Sequence, residues 1–398
     1  MKKLSILFLL LALTIFPVQA DVAISSNAAV VMEMQTGQVL FEKDGAKKIL
    51  PANTAKIMTA LVALENGDLE KDTITIENDE GTLLKAGDIL SLKEALAVML
   101  MRSSNECAKA VARKISEKDF TKLMNEKAKA LGILNTVFDN PAGGKNETEY
   151  TTAYDMAVIT RTALENETFL ELFTTKNTTI GTDKAVSSSV EMMAAGDNFY
   201  EYVTGGLTTN SAELGNTIVL TAKKGMLDLI VILLDSGSTK YSDSKKLLDD
   251  IFDNFYKTTI EAERYPLPTA KATGSFGRHA TIEFSLAKEL VLVLPNQISI
   301  EQLTFTNDIK PKYKQAKEYE AYLTITAEGR APITLPLITA QGKESSGVIT
   351  ILLIILLVII GAVLIILGIA AYYIIRANMK KKRRRKDKHK GTFRVKKL

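Results

Sequence analysis

Side chains that could bind a metal or build a catalytic triad are scarce in this 398-residue chain. It has one cysteine, Cys107, and two histidines, His279 and His389. A structural zinc site takes about four Cys or His ligands, so we predict neither a zinc cluster nor a disulfide scaffold. A Ser-His-Asp triad is not expected either, since His279 is the only histidine between residues 21 and 346. No metal or other cofactor is predicted.

The elements that would position catalytic side chains alternate between strand-like and helix-like patterns over residues 21–264. Two short apolar runs, 28–34 and 38–42, are separated by a Gln-Thr-Gly turn, which predicts a β-hairpin. Residues 55–65 have helical spacing, and Asn53 just before them is predicted to cap that helix.

Further helices and a second hairpin are predicted downstream. An apolar helix over 92–115 is interrupted at 102–105, and two more helices are expected at 120–131 and 242–255. Residues 217–222 and 227–234 are β-type runs joined by a Lys-Lys-Gly turn. Helices between antiparallel hairpins favour an α+β fold for residues 21–264.

The pattern changes after residue 264. Residues 269–340 alternate apolar and polar positions with weak helical periodicity, which predicts a small all-β domain over 265–340. Residues 341–346 (QGKESS) are predicted to form a polar linker.

The N-terminal segment 1–20 has the composition of a signal peptide. Lys2 and Lys3 precede an apolar run, and the small residues at the end of Val18-Gln19-Ala20 suit a signal peptidase. We expect cleavage after Ala20; the alternative is an uncleaved N-terminal anchor.

Charge is segregated along the chain and predicts its topology. Residues 21–346 have a net charge of −10, residues 347–375 carry none, and residues 376–398 have a net charge of +12. The uncharged run is long enough to span a bilayer of about 30 Å, which makes a buried core helix the weaker interpretation. The positive-inside rule places the tail in the cytoplasm and residues 21–346 outside. The tail is predicted to contact anionic lipid, and no nucleic-acid partner is expected.

Residues 27–65 resemble the start of serine-type D-alanyl-D-alanine carboxypeptidases, which are low-molecular-mass penicillin-binding proteins. The resemblance continues through 86–112, 124–161 and 205–255. Its markers are Thr36-Gly37, Lys56-Ile57-Met58-Thr59-Ala60, Leu131-Gly132, Asn140-Pro141 and Thr152-Ala153-Tyr154-Asp155. It implies a DD-peptidase/β-lactamase-like domain, an antiparallel sheet with flanking helices, followed by the small β domain and the transmembrane helix.

The resemblance also implies a chemistry built on three motifs. In S-x-x-K the serine attacks the D-Ala-D-Ala bond, and the lysine on the same helix face takes its proton. S-x-N helps proton transfer and substrate binding. K-T-G lies on a strand, where its lysine pairs with the substrate carboxylate and its backbone helps to form the oxyanion hole.

This sequence matches those motifs only in part. S-x-x-K falls on Asn53-Thr54-Ala55-Lys56, so the general-base position is kept and the nucleophile position holds Asn53. S-x-N is complete as Ser103-Ser104-Asn105. K-T-G falls on Thr204-Gly205-Gly206, where the lysine is replaced by Thr204 and the central threonine by Gly205.

Both departures predict impaired catalysis. Removing the nucleophile of a serine protease costs about 10⁶ in turnover. Losing the cation at position 204 removes a charge-assisted hydrogen bond of about 1.5–3 kcal/mol. Without its serine, Lys56 is expected to be a buried residue bonded to Ser103 and Asn105, or these two residues simply cap the turn that interrupts their helix.

Substitute nucleophiles are weak candidates. Thr54 is rotated about 100° from position 53 on a helix. Two other segments fit the bare S-x-x-K pattern, Ser242 to Lys245 on a helix predicted to be exposed and Ser285 to Lys288 in the β domain.

These observations predict a membrane-anchored, wall-facing carboxypeptidase homologue with impaired catalysis. Its partners would be peptidoglycan stem peptides or cell-wall proteins, together with the lipid bilayer. Two alternatives stay open: an active serine-type carboxypeptidase with atypical site residues, and a non-enzymatic scaffold for cell-wall enzymes.

Overall fold

The computed structural model describes residues 22–144, 148–211, 215–265, 267–273, 279–286, 289–311, 319–327 and 332–345. The predicted signal peptide, spanning segment and basic tail lie outside these residues. Among the residues described, no helix combines the length and the apolar character that crossing a membrane requires.

The helices of the described residues follow the periodic segments of the sequence. They are α1 Ala55–Asn66, α2 Leu92–Arg102, α3 Asn105–Ser116, α4 Phe120–Ala130, α5 Ala153–Leu164, α6 Glu167–Thr174 and α7 Lys240–Asn254. The predicted helices at 55–65, 120–131 and 242–255 are confirmed as α1, α4 and α7, and the helix at 92–115 is confirmed as α2 and α3, with its interruption. Helices α5 and α6 lie in a region for which we predicted no element.

Strands up to residue 260 form one large sheet and two short pairs, and the last of these strands pairs with a later one. They are β1 Ala28–Glu33, β2 Val39–Lys43, β3 Thr73–Thr75, β4 Ile89–Ser91, β5 Asn177–Ile180, β6 Lys184–Ser187, β7 Val203–Thr209, β8 Thr217–Lys224, β9 Leu227–Leu234 and β10 Phe255–Ile260. The large sheet has the order β2-β1-β9-β8-β7 with antiparallel neighbours, so both predicted hairpins are confirmed.

The large sheet is buried on both faces because alternate side chains of its strands enter different cores. In β1, Val30 and Met32 pack into the core formed with α1 to α6. Ala29 and Val31 pack on the opposite face, in the core that contains Leu247 of α7. The α+β prediction for residues 21–264 agrees with this arrangement, in which helices cover an antiparallel sheet.

Hydrogen-bonding residues set the starts of two of the helices that cover the large sheet. Ser91 and Glu94 form a reciprocal capping box at the start of α2. Thr152 accepts a hydrogen bond from the Asp155 amide and caps α5. These caps fix where α2 and α5 enter the core, and α2 leads directly into the Ser103–Asn105 segment.

A second five-stranded sheet contains most of the later strands. They are β11 Thr269–Thr273, β12 His279–Ser285, β13 Leu290–Pro295, β14 Thr304–Pro311, β15 Tyr319–Thr326 and β16 Ile333–Ser345. The order is β11-β12-β16-β15-β14, whereas β13 pairs with β10. Strand β16 continues through 341–345, which we predicted as a polar linker, because its backbone pairs there with β12.

The described residues divide into two compact units. The first comprises the residues up to 265 together with 286–308 and 322–336; the second comprises 267–285, 309–321 and 337–345. A separate small β domain over 265–340 stays a prediction.

A buried ion pair joins β1 to β10 within the first unit. The Lys257 ammonium lies 2.6 Å from the Glu33 carboxylate, and the two side chains are 7% and 0% exposed. Glu33 also accepts a hydrogen bond from the Thr36 amide at 2.6 Å. The charge of Glu33 is therefore compensated by one cation and by the turn of the first hairpin.

We predict that Lys257→Ala lowers the free energy of unfolding by about 3 kcal/mol, because Glu33 is left buried without its cation. Denaturant unfolding followed by circular dichroism measures the change. The matched control is Lys224→Ala, which breaks an exposed pair with Asp253 and should cost about 0.5 kcal/mol. Equal losses for the two variants would contradict the assignment.

Candidate active site

Asn53 and Lys56 lie where the chain turns into α1. Ala52–Thr54 forms one 3-10 turn, and α1 begins at Ala55. Ala52 has a left-handed φ of 45°, which is uncommon for a residue other than glycine. The spacing of three residues places the Asn53 amide and the Lys56 amine on the same side of this turn.

The Lys56 ammonium holds the site together. Its Nζ donates to Asn53 Oδ1 at 2.8 Å, to Asn105 Oδ1 at 2.7 Å and to the Ala142 carbonyl at 2.7 Å. A lysine ammonium has three donors and no acceptor, so all three N–H groups are used.

Burial and nearby charges act in opposite directions on Lys56. The side chain is 0% exposed, and this burial lowers its pKa to about 7. The carboxylates of Glu80 and Glu149 oppose the shift. Because each of the three acceptors needs a proton from Nζ, the hydrogen-bond geometry is that of the ammonium form, which has no lone pair with which to accept a proton.

The Ser103–Asn105 segment connects α2 to α3. Ser103 ends α2 with a left-handed φ of 56°, and the Ser104 side chain caps α3 by accepting from the Cys107 amide at 3.0 Å. The Asn105 amide N–H donates to Glu80 at 2.9 Å, and the Ser104 hydroxyl donates to the other oxygen of that carboxylate. The interpretation of this segment as a helix cap therefore holds for Ser103 at the end of α2 and for Ser104, rather than Asn105, at the start of α3.

Ser103 does not bond to Lys56, contrary to our prediction. Its Oγ is buried and has no hydrogen-bond partner among the described residues. The Lys56 donors are already taken by Asn53, Asn105 and Ala142. The described site therefore contains a buried hydroxyl that takes no part in the Lys56 hydrogen bonds.

The prediction that Asn53 caps a helix is also wrong. Thr54 occupies the N-cap position of α1, although its side chain makes no capping hydrogen bond there, and Pro51 precedes the 3-10 turn. The Asn53 side chain instead accepts from Lys56. The buried ammonium needs an acceptor more than the helix start does, because an unpaired buried charge is far costlier than a missing cap.

Strand β7 carries Thr204, Gly205 and Gly206, and the 3-10 turn that holds Asn53 packs against β7 and β8. The Thr204 hydroxyl donates to Thr221 Oγ1 at 2.9 Å, so position 204 offers no cation. A Cβ added at Gly205 would lie 2.6 Å from the Phe173 carbonyl. The backbone is thus too close to α6 at this position for a threonine to fit without movement.

The segment 139–144, to which Glu149 bonds, presents the third acceptor to Lys56. Glu149 Oε2 accepts from Asn140 Nδ2 at 3.1 Å and from the Gly144 amide at 3.2 Å, and Asn140 Oδ1 accepts from the Ala142 amide at 3.0 Å. These bonds set the direction of the Ala142 carbonyl. Glu149 is 2% exposed, and burial, together with nearby Asp139, raises its pKa to about 7.

Sequence reasoning missed both Glu149 and a second buried lysine, Lys240. Lys240 Nζ donates to Thr208 Oγ1 at 2.6 Å and to the Thr209 carbonyl at 2.7 Å, at the end of β7. Burial lowers its pKa to about 8. A lysine in a polar helix segment and a glutamate in a polar loop look like solvated residues, so the sequence contains no signal for either.

The substitute nucleophiles are not placed for catalysis. Thr54 is buried, and its hydroxyl donates to the Pro51 carbonyl. Ser242 and Lys245 bond to separate backbone carbonyls rather than to each other. Of the other pair, Ser285 ends β12, and Lys288 lies outside the described residues.

Comparison with known proteins places these observations in a family. The model of the D-alanyl-D-alanine carboxypeptidases matches residues 15–238. The chain is 27% identical to the D-alanyl-D-alanine carboxypeptidase DacF of Bacillus subtilis over 363 residues, which cover 83% of this chain and 89% of the relative.

Solved structures agree on the fold. Penicillin-binding protein 5 of Haemophilus influenzae is similar with a TM-score of 0.64 at 17% identity, covering 81% of this chain and 98% of that one. A DD-transpeptidase of Streptomyces K15 is similar with a TM-score of 0.52 at 26% identity, covering 57% of this chain and 97% of that one.

We predict that Gly143→Ala destabilises the site by about 3 kcal/mol. Gly143 has a φ of 74°, and an added Cβ would lie 1.7 Å from the Ala52 carbonyl. Gly181→Ala is the matched control, since Gly181 has a φ of 58° and open space around it, so only the backbone strain of about 1 kcal/mol applies. Thermal or denaturant unfolding of the two variants measures the difference; similar losses would rule out the close approach to Ala52.

We predict that Glu149→Gln changes how stability depends on pH. Between its ordinary pKa of 4.5 and its raised pKa of about 7, Glu149 is protonated in the folded chain and ionised in the unfolded one. Folding therefore takes up a proton, and this contribution to stability is lost as the pH rises through the window. Glu149→Gln has no carboxyl group at this position and lacks that loss. The free energy of unfolding of the variant minus that of the wild type should therefore increase by on the order of 2 kcal/mol from about pH 5 to about pH 8.

Denaturant unfolding at the two pH values measures the effect of Glu149→Gln. Glu126→Gln, which alters an exposed carboxylate on α4, serves as the control and should leave the pH profile unchanged. Parallel stability profiles for wild type and Glu149→Gln would show that the buried carboxyl does not take up the proton.

Proposed function

The chain belongs to the D-alanyl-D-alanine carboxypeptidase family, and from this premise we propose that it is a member with impaired acyl transfer that binds peptidoglycan stem peptides without forming an acyl-enzyme. The observation that carries the proposal is the bond from Lys56 Nζ to Asn53 Oδ1 at 2.8 Å. This contact places an amide where the family has its nucleophilic serine and engages one of the three Lys56 donors.

Acyl transfer fails at two points in this geometry. An amide nitrogen is not a usable nucleophile, because its lone pair is delocalised into the carbonyl. A general base must accept a proton, whereas all three donors of Lys56 point at acceptors. In the proposed mechanism of impairment, therefore, neither position of the usual Ser–Lys pair supplies its catalytic group.

Binding of an extended peptide requires neither a nucleophile nor a general base. Strand β7 is the last strand in the order of the large sheet, so one edge of its backbone is not used within that sheet. An extended peptide can add to such an edge through main-chain hydrogen bonds.

The proposed location follows from the sequence outside the described residues. The uncharged run 347–375 and the basic segment after it support a single-pass anchor in a bacterial membrane, with the peptidase-like domain facing the cell wall. This topology would bring the cleft to the side of the membrane where stem peptides lie.

The decisive experiment is penicillin acylation followed by intact-mass spectrometry. We predict that the full chain in detergent gains no adduct, whereas Asn53→Ser/Thr204→Lys gains one equivalent. The serine restores the nucleophile, and the Asn53 amide oxygen that accepts from Lys56 is removed. Adding Lys56→Met to the restored variant should abolish the adduct, because the base is then missing.

A stoichiometric adduct on the wild type would overturn the proposed loss of acyl transfer. Amide chemical shifts of the wild type, titrated with a peptide ending in D-Ala-D-Ala, test the binding part. Saturable shifts near Ser103 and β7 are expected, and a peptide ending in L-Ala-L-Ala is the control. No shifts with either peptide would overturn the binding role.

A further inference from the structure

Two adjoining cavities open beside the Ser103–Asn105 segment. They have volumes of about 310 Å³ and about 410 Å³. The inner one reaches Glu80 and Ser104, and the outer one reaches Lys184 and Ser187 on β6. Both are lined by the same three residues, Thr82, Leu83 and Arg102. They therefore form one groove with Arg102 at its centre.

Arg102 has most of its hydrogen-bonding capacity unused. It is the last residue of α2 and is exposed. Among the described residues, its only hydrogen bond is a long one, 3.5 Å from Nη1 to the Ser187 carbonyl. A guanidinium carries five N–H donors in a planar fork, which matches a carboxylate bidentately.

The other charged groups that line the groove already have hydrogen-bond partners. Lys184 lies 2.5 Å from the Asp88 carboxylate. Glu80 accepts from the Asn105 backbone N–H and from the Ser104 hydroxyl, two neutral donors that occupy both of its oxygens. Arg102 is thus the charged group of the described groove that keeps most of its donors unused, and it is positive in a region, 21–346, whose net charge is −10.

The groove adjoins the candidate active site. Ser104 lines its inner cavity, and the next residue, Asn105, accepts from Lys56 at 2.7 Å. A peptide bound at the site can therefore extend toward Arg102. Position 204, where the family's carboxylate-binding lysine would stand, holds a neutral threonine.

We propose that Arg102 is the centre of a subsite that binds a carboxylate of the stem peptide, away from its D-Ala-D-Ala end. The proposal rests on the proposed peptide binding and adds the charge class of the bound peptide. Arg102 is a specificity residue here: it selects acidic peptides over their amidated counterparts, and it takes no part in bond breaking.

The test compares two peptides that end in D-Ala-D-Ala and differ only in one upstream glutamyl residue, which carries either a carboxylate or an amide. The full chain in detergent is titrated with each, following its amide resonances and the Nε–Hε resonance of Arg102. We expect the carboxylate peptide to bind about tenfold more tightly, as a charge-assisted hydrogen bond implies. Arg102→Ala and Arg102→Gln should both remove that preference.

Lys93→Ala is the matched control. Lys93 lies on the same helix, is exposed and pairs with Glu171, so its removal deletes one positive charge outside the groove. The preference for the carboxylate peptide should persist in this variant. Loss of the preference in Lys93→Ala would show that net charge, rather than Arg102, selects the peptide.

The outcomes separate this proposal from the proposed function. If the wild type binds both peptides equally, the subsite is refuted while peptide binding stands. If neither peptide binds but N-acetylglutamate shifts the Arg102 resonance, the anion subsite stands and the proposed function fails. If glycerol phosphate binds more tightly than N-acetylglutamate, a phosphate rather than a peptide carboxylate is the ligand, and the peptide assignment is overturned.

Discussion

The described site depends on burying one ammonium group. An isolated charge in a protein interior is very costly, so Lys56 must find a hydrogen-bond acceptor for each of its three protons. The acceptors come from three separate segments. They are Asn53 in the 3-10 turn, Asn105 in α3 and the Ala142 carbonyl in the segment 139–144. Satisfying one side chain thus fixes the relative positions of a turn, a helix and a loop.

The acceptor at position 53 can satisfy the buried lysine without being able to act as a nucleophile. A serine hydroxyl can accept from lysine and also give up its proton, whereas the Asn53 oxygen can only accept. Asparagine therefore preserves the burial of Lys56 while it removes the nucleophile. Thr204 acts in the same direction, because a cation on β7 would repel the Lys56 charge and favour the neutral amine. Both departures from the family pattern therefore act in the direction of the proposed loss of acyl transfer.

Regular patterns predicted much of the fold, whereas the details of the site arise from contacts between distant segments. Helices α1 and α4 and the two hairpins follow from local periodicity and turn residues. The prediction for Asn53 was wrong because its partner is set by the burial of Lys56, a tertiary constraint that overrides the local preference for a cap. The burial of Glu149 was not predicted for a related reason, since a buried carboxyl and a solvated one have the same sequence signature.

Losing the covalent step does not require losing the ligand. Interactions that form only in the transition state affect rate, whereas those made equally with bound substrate affect binding. The nucleophile at position 53 belongs to the first kind, and the backbone of β7 to the second. The cation missing at position 204 would contribute to both, so its loss weakens the hold on the terminal carboxylate. A peptide that keeps useful affinity must therefore gain contacts elsewhere along its length, and in the described structure the groove at Arg102 is the place beside the site where a guanidinium with unused donors can supply one.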